Sequence, residues 1–248
     1  MKIGIISGSS LRHTALASFL NKEFEIIQFS EIVRKKNNLQ NKRIQEYFKR
    51  VNLTEKKIFT DSDWSNKNYK KISLPKGEIN KVPKEVELLL DCDVVLIFGS
   101  SIIKDPLYSL LSQNKLINLH MGISPEYTGA ACNFWALYDN NIQFVGGTIQ
   151  TLSKKLDLGK TIKYCFPELD IQNFDPVDFS MRAVRETFLN LPMVIDKIDE
   201  YIGNAIKVDK SRLIRNSKIT DFDEKTLEEF YKKKINLNNI EKRNFYPS

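Results

Sequence analysis

Asp93-Val94-Val95-Leu96-Ile97-Phe98-Gly99 and, further on, Leu116-Ile117-Asn118-Leu119-His120 decide how this chain folds. Each is a continuous apolar run of strand length, the pattern a parallel strand needs when helices cover both faces of its sheet. Between them, Pro106 to Leu111 predicts a short helix. Upstream, Lys2 to Ile6 predicts a first strand and Ser7-Gly8-Ser9-Ser10 a tight turn, while Ala15, Leu16, Phe19 and Leu20 mark the apolar face of a helix. Glu25 to Phe29 predicts a second strand, and Ile32 to Phe59 is helical in stretches. Lys67 to Glu87, broken by Pro75, Gly77 and Pro83, is expected to be a polar excursion from the core.

Downstream, Ala130 to Tyr138 predicts a helix and Phe144 to Leu152 a strand, with Gly146-Gly147 marking a bulge or a close backbone approach. The order of elements predicts an α/β fold: an open, mostly parallel, Rossmann-like sheet flanked by helices, gathering ligands beyond the carboxyl ends of its strands. Phe179 to Ile206 predicts a long helical stretch that Pro192 kinks or divides. Residues 1–206 are expected to form the main domain. Residues 207–248 form a small basic appendage with one helix, Glu224 to Lys234, which Asp223 can cap.

Of 248 residues, 42% are apolar and 28% charged, which places the chain among globular proteins and away from the disordered regime. No apolar run is long enough to span a bilayer, and the first residues read as a buried strand without an export signal, so a cytoplasmic setting is expected. Cys92, Cys132 and Cys165 are too far apart in sequence for a local metal knuckle. The net charge of +7 is concentrated in Glu31 to Lys57, where nine basic residues face three acidic ones. A solvated helical face accounts for most of them. Arg43 and Arg50, about two helical turns apart, are the pair expected to fork around an anionic ligand.

Asn118 and His120 are two apart at the end of an apolar run, so a strand would present both on one side at the mouth of the sheet. Catalysis explains such a pair; a turn-fixing Asn and a satisfied core histidine explain it equally well. The only other histidine, His13, sits in the first helix with no carboxylate nearby in sequence. Asp157 lies in a loop setting where an Asp can simply cap a turn. The turn Ser7 to Ser10 precedes a helix and could cradle an anion, but it is neither a P-loop nor the three-glycine dinucleotide fingerprint.

Leu116-Ile-Asn-Leu-His120-Met-Gly-Ile-Ser-Pro125-Glu-Tyr-Thr-Gly129, followed by Gly147-Thr-Ile and Leu156-Asp-Leu-Gly159, resembles the core of the folate-dependent formyltransferases. That family includes the glycinamide ribonucleotide, methionyl-tRNA and sugar N-formyltransferases. The resemblance covers chiefly Asp93 to Thr161. It departs from the family at Gly122-Ile123-Ser124-Pro125, where Ser-Leu-Leu-Pro is usual.

The resemblance implies Asn118, His120 and Asp157 as the catalytic set and 10-formyltetrahydrofolate as the donor. It implies a folate pocket lined by Gly99, Ser100, Ser101, Ile102 and Ile103 on one side and by Leu152, Ser153, Lys154, Lys155 and Leu156 on the other. The acceptor expected is a small anionic amine, foremost an amino sugar linked to a nucleotide, met by Arg43, Arg50, Ser9, Ser10 and Tyr127. In the implied reaction a neutral amine attacks the formyl carbon. Asn118 and protonated His120 then hold the charge that develops on oxygen, and Asp157 orients the imidazole.

Residues after Gly159 are too few for the second domain with which tRNA formyltransferases grip their substrate, which lowers that reading. The alternatives are another phosphorylated amine as acceptor, hydrolysis of formyltetrahydrofolate, and a basic nucleic-acid-binding module. The last would show steep salt dependence and no formyl transfer, and is disfavoured. A homodimer contact through the C-terminal helix stays open.

Overall fold

The computed structural model describes residues 1–33, 41–65, 68–153 and 159–245. In chain order its elements are β1 (Lys2–Ser7), α1 (Leu11–Leu20), β2 (Glu25–Ile32), α2 (Lys42–Ile58), β3 (Lys70–Pro75), α3 (Glu87–Leu90), β4 (Val94–Phe98), α4 (Leu107–Leu111) and β5 (Lys115–His120). They continue with β6 (Tyr127–Gly129), α5 (Cys132–Tyr138), β7 (Gly147–Thr151), β8 (Thr161–Cys165), α6 (Pro176–Leu189), α7 (Leu191–Asp196), α8 (Ile198–Gly203), β9 (Arg215–Ser217) and α9 (Glu224–Lys232).

Seven strands form the main sheet in the order β3-β2-β1-β4-β5-β7-β8. The first five run parallel, β7 is antiparallel to β5, and β8 is antiparallel to β7. This is the open, mostly parallel α/β sheet that the sequence predicts. Ile3, Ile5, Val94, Leu96, Ile117 and Leu119 pack on one face against α1, α6, α7 and α8. Ile6, Ile27, Phe29, Val95 and Ile97 pack on the other against Ile79, Val86, Leu89, Leu107 and Leu111. Burial on both faces is why β4 is apolar at every position. Among the described residues no helix is long and apolar enough to cross a membrane.

The polar stretch from Lys67 to Glu87 is not an excursion throughout: β3 pairs parallel with β2 and closes one edge of the sheet. Its sequence, KKISLP, alternates polar and apolar residues and ends in a proline, which only an edge strand accommodates without losing a ladder bond. The helix expected over Phe179 to Ile206 is divided into α6, α7 and α8, with Pro192 in the first turn of α7. Asp175 caps α6, accepting from the N–H groups of Val177 and Asp178 at 2.9 Å each.

Residues beyond 206 are tied closely to the core. β9 pairs parallel with β6, the Asp223-capped α9 buries Leu227 and Phe230, and both side chains join Tyr127, Phe134, Trp135 and Phe179 in a third apolar cluster. Arg215 chelates Asp139 with two hydrogen bonds of 2.8 and 2.7 Å and stacks over the Trp135 ring at 4.4 Å.

The glycine pair at the start of β7 marks close approach. A Cβ on Gly147 would lie 1.9 Å from Thr187 Oγ1, and that hydroxyl is fully buried and donates to the Ala183 carbonyl at 2.8 Å. Either the Thr187 side chain would have to give up its hydrogen bond or the β7 backbone would have to move away from α6. Gly147→Ala is therefore expected to destabilise the fold by about 1–3 kcal/mol, the usual cost of overpacking, read as a lower urea midpoint.

Candidate active site

Where β1, β4 and β5 end, an open cavity of about 620 Å³ lies at the carboxyl edge of the sheet. Its floor is Asn118, Leu119 and His120 of β5 and Gln150 of β7. One wall is the segment from Gly99 to Ile103, and the opposite wall holds Leu152, Ser153 and Gly159. Met181 and Val184 of α6 cover one side, while Tyr47, Phe48 and Phe222 make an aromatic rim. Phe48 and Ile219 on that rim are 40% and 73% exposed, so apolar surface faces solvent at the mouth.

Asn118 and His120 share a face of β5, and the antiparallel register sets them opposite Gln150 and Thr148 of β7. His120 is buried, and its Nε2 lies 2.8 Å from the Tyr127 carbonyl oxygen. A carbonyl only accepts, so Nε2 carries the hydrogen in this contact. Gly122 makes room for this ring: a Cβ there would sit 2.5 Å from Cys132 Cβ and 2.9 Å from His120 Nε2. Thr148 fixes the loop behind it, donating to the Gly122 carbonyl at 2.7 Å and accepting from the Ser124 N–H at 3.1 Å.

The Gly99 to Ile103 wall is held from behind by residues that the sequence pattern did not single out. Gly99 takes a left-handed φ of +61° and leaves no space for a Cβ, which would meet His13 Nε2 at 2.6 Å. The buried Glu31 carboxylate, at the end of β2, accepts from the N–H of Gly77 at 2.7 Å and from the N–H of Ser101. Asn80 donates to the Ile102 carbonyl at 3.0 Å and accepts from the Lys104 N–H at 2.9 Å. The segment around β3 is thus a brace for the cavity wall.

His13 also touches the cavity. Its Nδ1 accepts from the Ser10 N–H at 3.1 Å and contacts Ser10 Oγ at 2.7 Å, closing the first turn of α1. Burial above all, then the charges of Arg12 and Lys71, lowers its pKa from 6.5 to about 3. The folded state therefore keeps His13 neutral while the unfolded chain takes up a proton below pH 6.5. The stability contributed is complete above that pH and is lost as pH falls toward 3. Urea titrations between pH 7 and pH 4 are expected to show a loss approaching about 1.4 kcal/mol per pH unit from this residue. His13→Gln should flatten that part of the profile.

The structure brings Asn118 and His120 together with the Gly99, Ser100, Ser101, Ile102 and Ile103 wall and with Leu152 and Ser153. Asp157, Lys154, Lys155 and Leu156 lie outside the described residues, between the cavity-lining Ser153 and Gly159. The residues expected to meet the acceptor are elsewhere. Arg43 pairs with Glu228 of α9, Arg50 pairs with the α6 cap Asp175, and neither lines the cavity. They join α2 to α9 and α6. The Tyr127 side chain is buried, accepting from Asn141 Nδ2 at 2.8 Å and donating to Asp139 at 3.2 Å, so its contribution at the site is the carbonyl that holds His120.

Ser10 is committed to His13, and Ser9 is absent from the cavity lining. At the start of α1 the Arg12 N–H is taken by Glu55 Oε1 at 2.6 Å, with the Arg12 guanidinium 3.4 Å from the same oxygen. The position where a helix N-terminus would meet a phosphate is filled by the chain's own carboxylate. Among the described residues no group of three or more His, Cys, Asp or Glu side chains is placed to hold a metal ion.

No family model matches the chain. The methionyl-tRNA formyltransferase of Clostridium acetobutylicum is 28% identical over 137 residues, 54% of this chain and 41% of that protein, so the match spans less than half of that relative's length. A 4-N formyltransferase from Francisella tularensis superimposes with a TM-score of 0.56 at 16% identity, covering 98% of this chain and 86% of its own. The N-formyltransferase from Helicobacter canadensis, solved with folinic acid and dTDP-3-aminofucose, gives 0.56 at 14% identity over 90% of this chain and 73% of its own. The phosphoribosylglycinamide formyltransferase of Streptococcus pneumoniae gives 0.55 at 19% identity over 80% of this chain and 98% of its own. The chain has the formyltransferase fold, as the resemblance in its core implies.

Proposed function

We propose that this protein transfers a formyl group from 10-formyltetrahydrofolate to an amine, and that the amine belongs to an amino sugar linked to a nucleotide. The observation that carries the reading is the Asn118 and His120 pair side by side on β5, opening into a cavity large enough for a folate head, with the imidazole held in one orientation. The residues present suit such a donor. The Gly99 to Ile103 backbone on one wall meets Leu119, Met181 and Val184 on the others, which gives a flat heterocycle polar edges and apolar faces.

The donor supplies an activated formyl carbon. Asn118 offers an amide N–H to the oxygen of that group, where negative charge grows as the amine attacks, and a preoriented donor does this without the reorganisation that water requires. His120, its Nε2 hydrogen held by Tyr127, exchanges a proton at Nδ1 and moves it from the incoming amine toward the departing nitrogen. Asp157 is assigned the orienting carboxylate by resemblance.

Three features support a nucleotide-linked amino sugar over a small phosphorylated amine. Glu55 already occupies the N-terminus of α1. The mouth of the cavity is aromatic, from Tyr47, Phe48 and Phe222, and offers stacking to a base. The Helicobacter canadensis protein, which shares the fold, was solved with such an acceptor.

Glu31 and Asn80 supply a test of the donor wall. Glu31→Gln or Asn80→Ala is expected to raise the KM for 10-formyltetrahydrofolate about tenfold, equivalent to about 1.4 kcal/mol of binding, with kcat within twofold of the parent. A loss confined to kcat would contradict the assignment of that wall to the donor. The acceptor is tested by offering dTDP-3-aminofucose and glycinamide ribonucleotide side by side. Faster formylation of the second would overturn the sugar assignment.

A further inference from the structure

The strand opposite Asn118 carries a side chain with one unpaired polar atom. Gln150 of β7 is 1% exposed, lines the cavity, and pairs directly with Asn118 across the sheet. Its Oε1 is fully buried and has no hydrogen-bond partner among the described residues. Thr148, two residues back on the same face, has its hydroxyl fully engaged with Gly122 and Ser124. An unpaired buried amide oxygen costs stability that a methionine or leucine at the same place would not. Retaining it is explained by a ligand that brings the missing donor.

The chemistry of that donor follows from the atom. A carbonyl oxygen only accepts, so the group that completes it carries an N–H or O–H. Asn118 stands beside it with an amide N–H for the formyl oxygen, so the reacting amine, adjacent to the formyl carbon, is within reach of both side chains. Resting on the formyl-transfer reading, we propose that Gln150 Oε1 accepts one N–H of the acceptor amine and aims its lone pair at the formyl carbon. As the new N–C bond forms and the bond from carbon to the folate nitrogen breaks, one amine proton leaves by way of His120 and reaches that nitrogen. The other proton stays on the product formamide and keeps its bond to Gln150. Two amine hydrogens are needed, so Gln150 selects primary over secondary amines.

The test compares the parent with Gln150→Met and Gln150→Glu, using dTDP-3-aminofucose and its N-methyl derivative as acceptors. Gln150→Met is expected to lower kcat/KM for the primary amine about 10- to 100-fold, leave the KM for 10-formyltetrahydrofolate unchanged, and abolish the preference over the N-methyl compound. Gln150→Glu, which restores an acceptor oxygen, should recover most of the rate. Without ligands Gln150→Met should melt at or above the parental temperature, because it removes an unpaired polar atom. Parental acceptor kinetics in Gln150→Met, or a melting temperature below the parent's, would overturn the proposal. If the parent formylates neither acceptor, the functional reading is at fault rather than Gln150; the ligand-free melting comparison still decides whether its oxygen is unpaired, and a lowered value overturns the inference.

Discussion

Replacing His120 by alanine is expected to lower kcat for formyl transfer by about two to four orders of magnitude, the range that a positioned proton-transfer group contributes. The imidazole is held by the contact of Nε2 with the Tyr127 carbonyl, in a slot that Gly122 keeps open. Removing it leaves that carbonyl without its donor, a cost of about 1–3 kcal/mol, which is small enough for a domain with cores on both faces of its sheet to remain folded. His120→Asn separates the two effects, since its amide can still donate but cannot exchange a proton near neutral pH. Circular dichroism and melting would report its fold. A His120→Asn protein with parental kcat would remove the imidazole from proton transfer.

Asn118→Ala should reduce kcat by about 10²- to 10³-fold, the loss typical of one donor to a developing oxyanion. Asn118 faces the cavity from β5 and is not needed to close the apolar core around Ile117 and Leu119, so binding of the donor should be nearly unchanged. Asn118→Asp makes the test sharper. It keeps the size of the side chain but replaces the N–H with an acceptor carboxylate, and should be at least as slow as the alanine variant. Equal losses in donor affinity and in kcat would instead make Asn118 a binding residue.

Much of the architecture is legible in the chain because burial on both faces writes itself as continuous apolar runs. β4 and β5 are visible for that reason, and the two-residue spacing of Asn118 and His120 then fixes their common face. The elements that escape such reading are half-exposed or very short. β3 alternates Lys, Ile, Ser and Leu at an edge, β8 is a half-buried edge strand of five residues, and β6 and β9 have three residues each, too few for any periodicity.

The acceptor side was least legible. A run of arginines and lysines has the same appearance whether it meets a ligand or the chain itself, and Glu228 and Asp175, the partners of Arg43 and Arg50, lie far away in sequence. Gln150 left a faint trace: Thr148 and Gln150 alternate with Ile149, which places two polar groups on one face of a buried strand. Glu31 left none, because β2 also carries Glu25, Gln28 and Ser30, so one more polar residue does not stand out.

Formyl transfer in this cavity is tested by incubating the purified protein with 10-formyltetrahydrofolate and dTDP-3-aminofucose. Tetrahydrofolate release and formamide formation are followed together, the second by mass spectrometry. Equal amounts of the two products are expected from the parent, and both are expected to form about two to four orders of magnitude more slowly with His120→Asn. Release of tetrahydrofolate without formamide, or equal turnover by parent and variant, would contradict this reading.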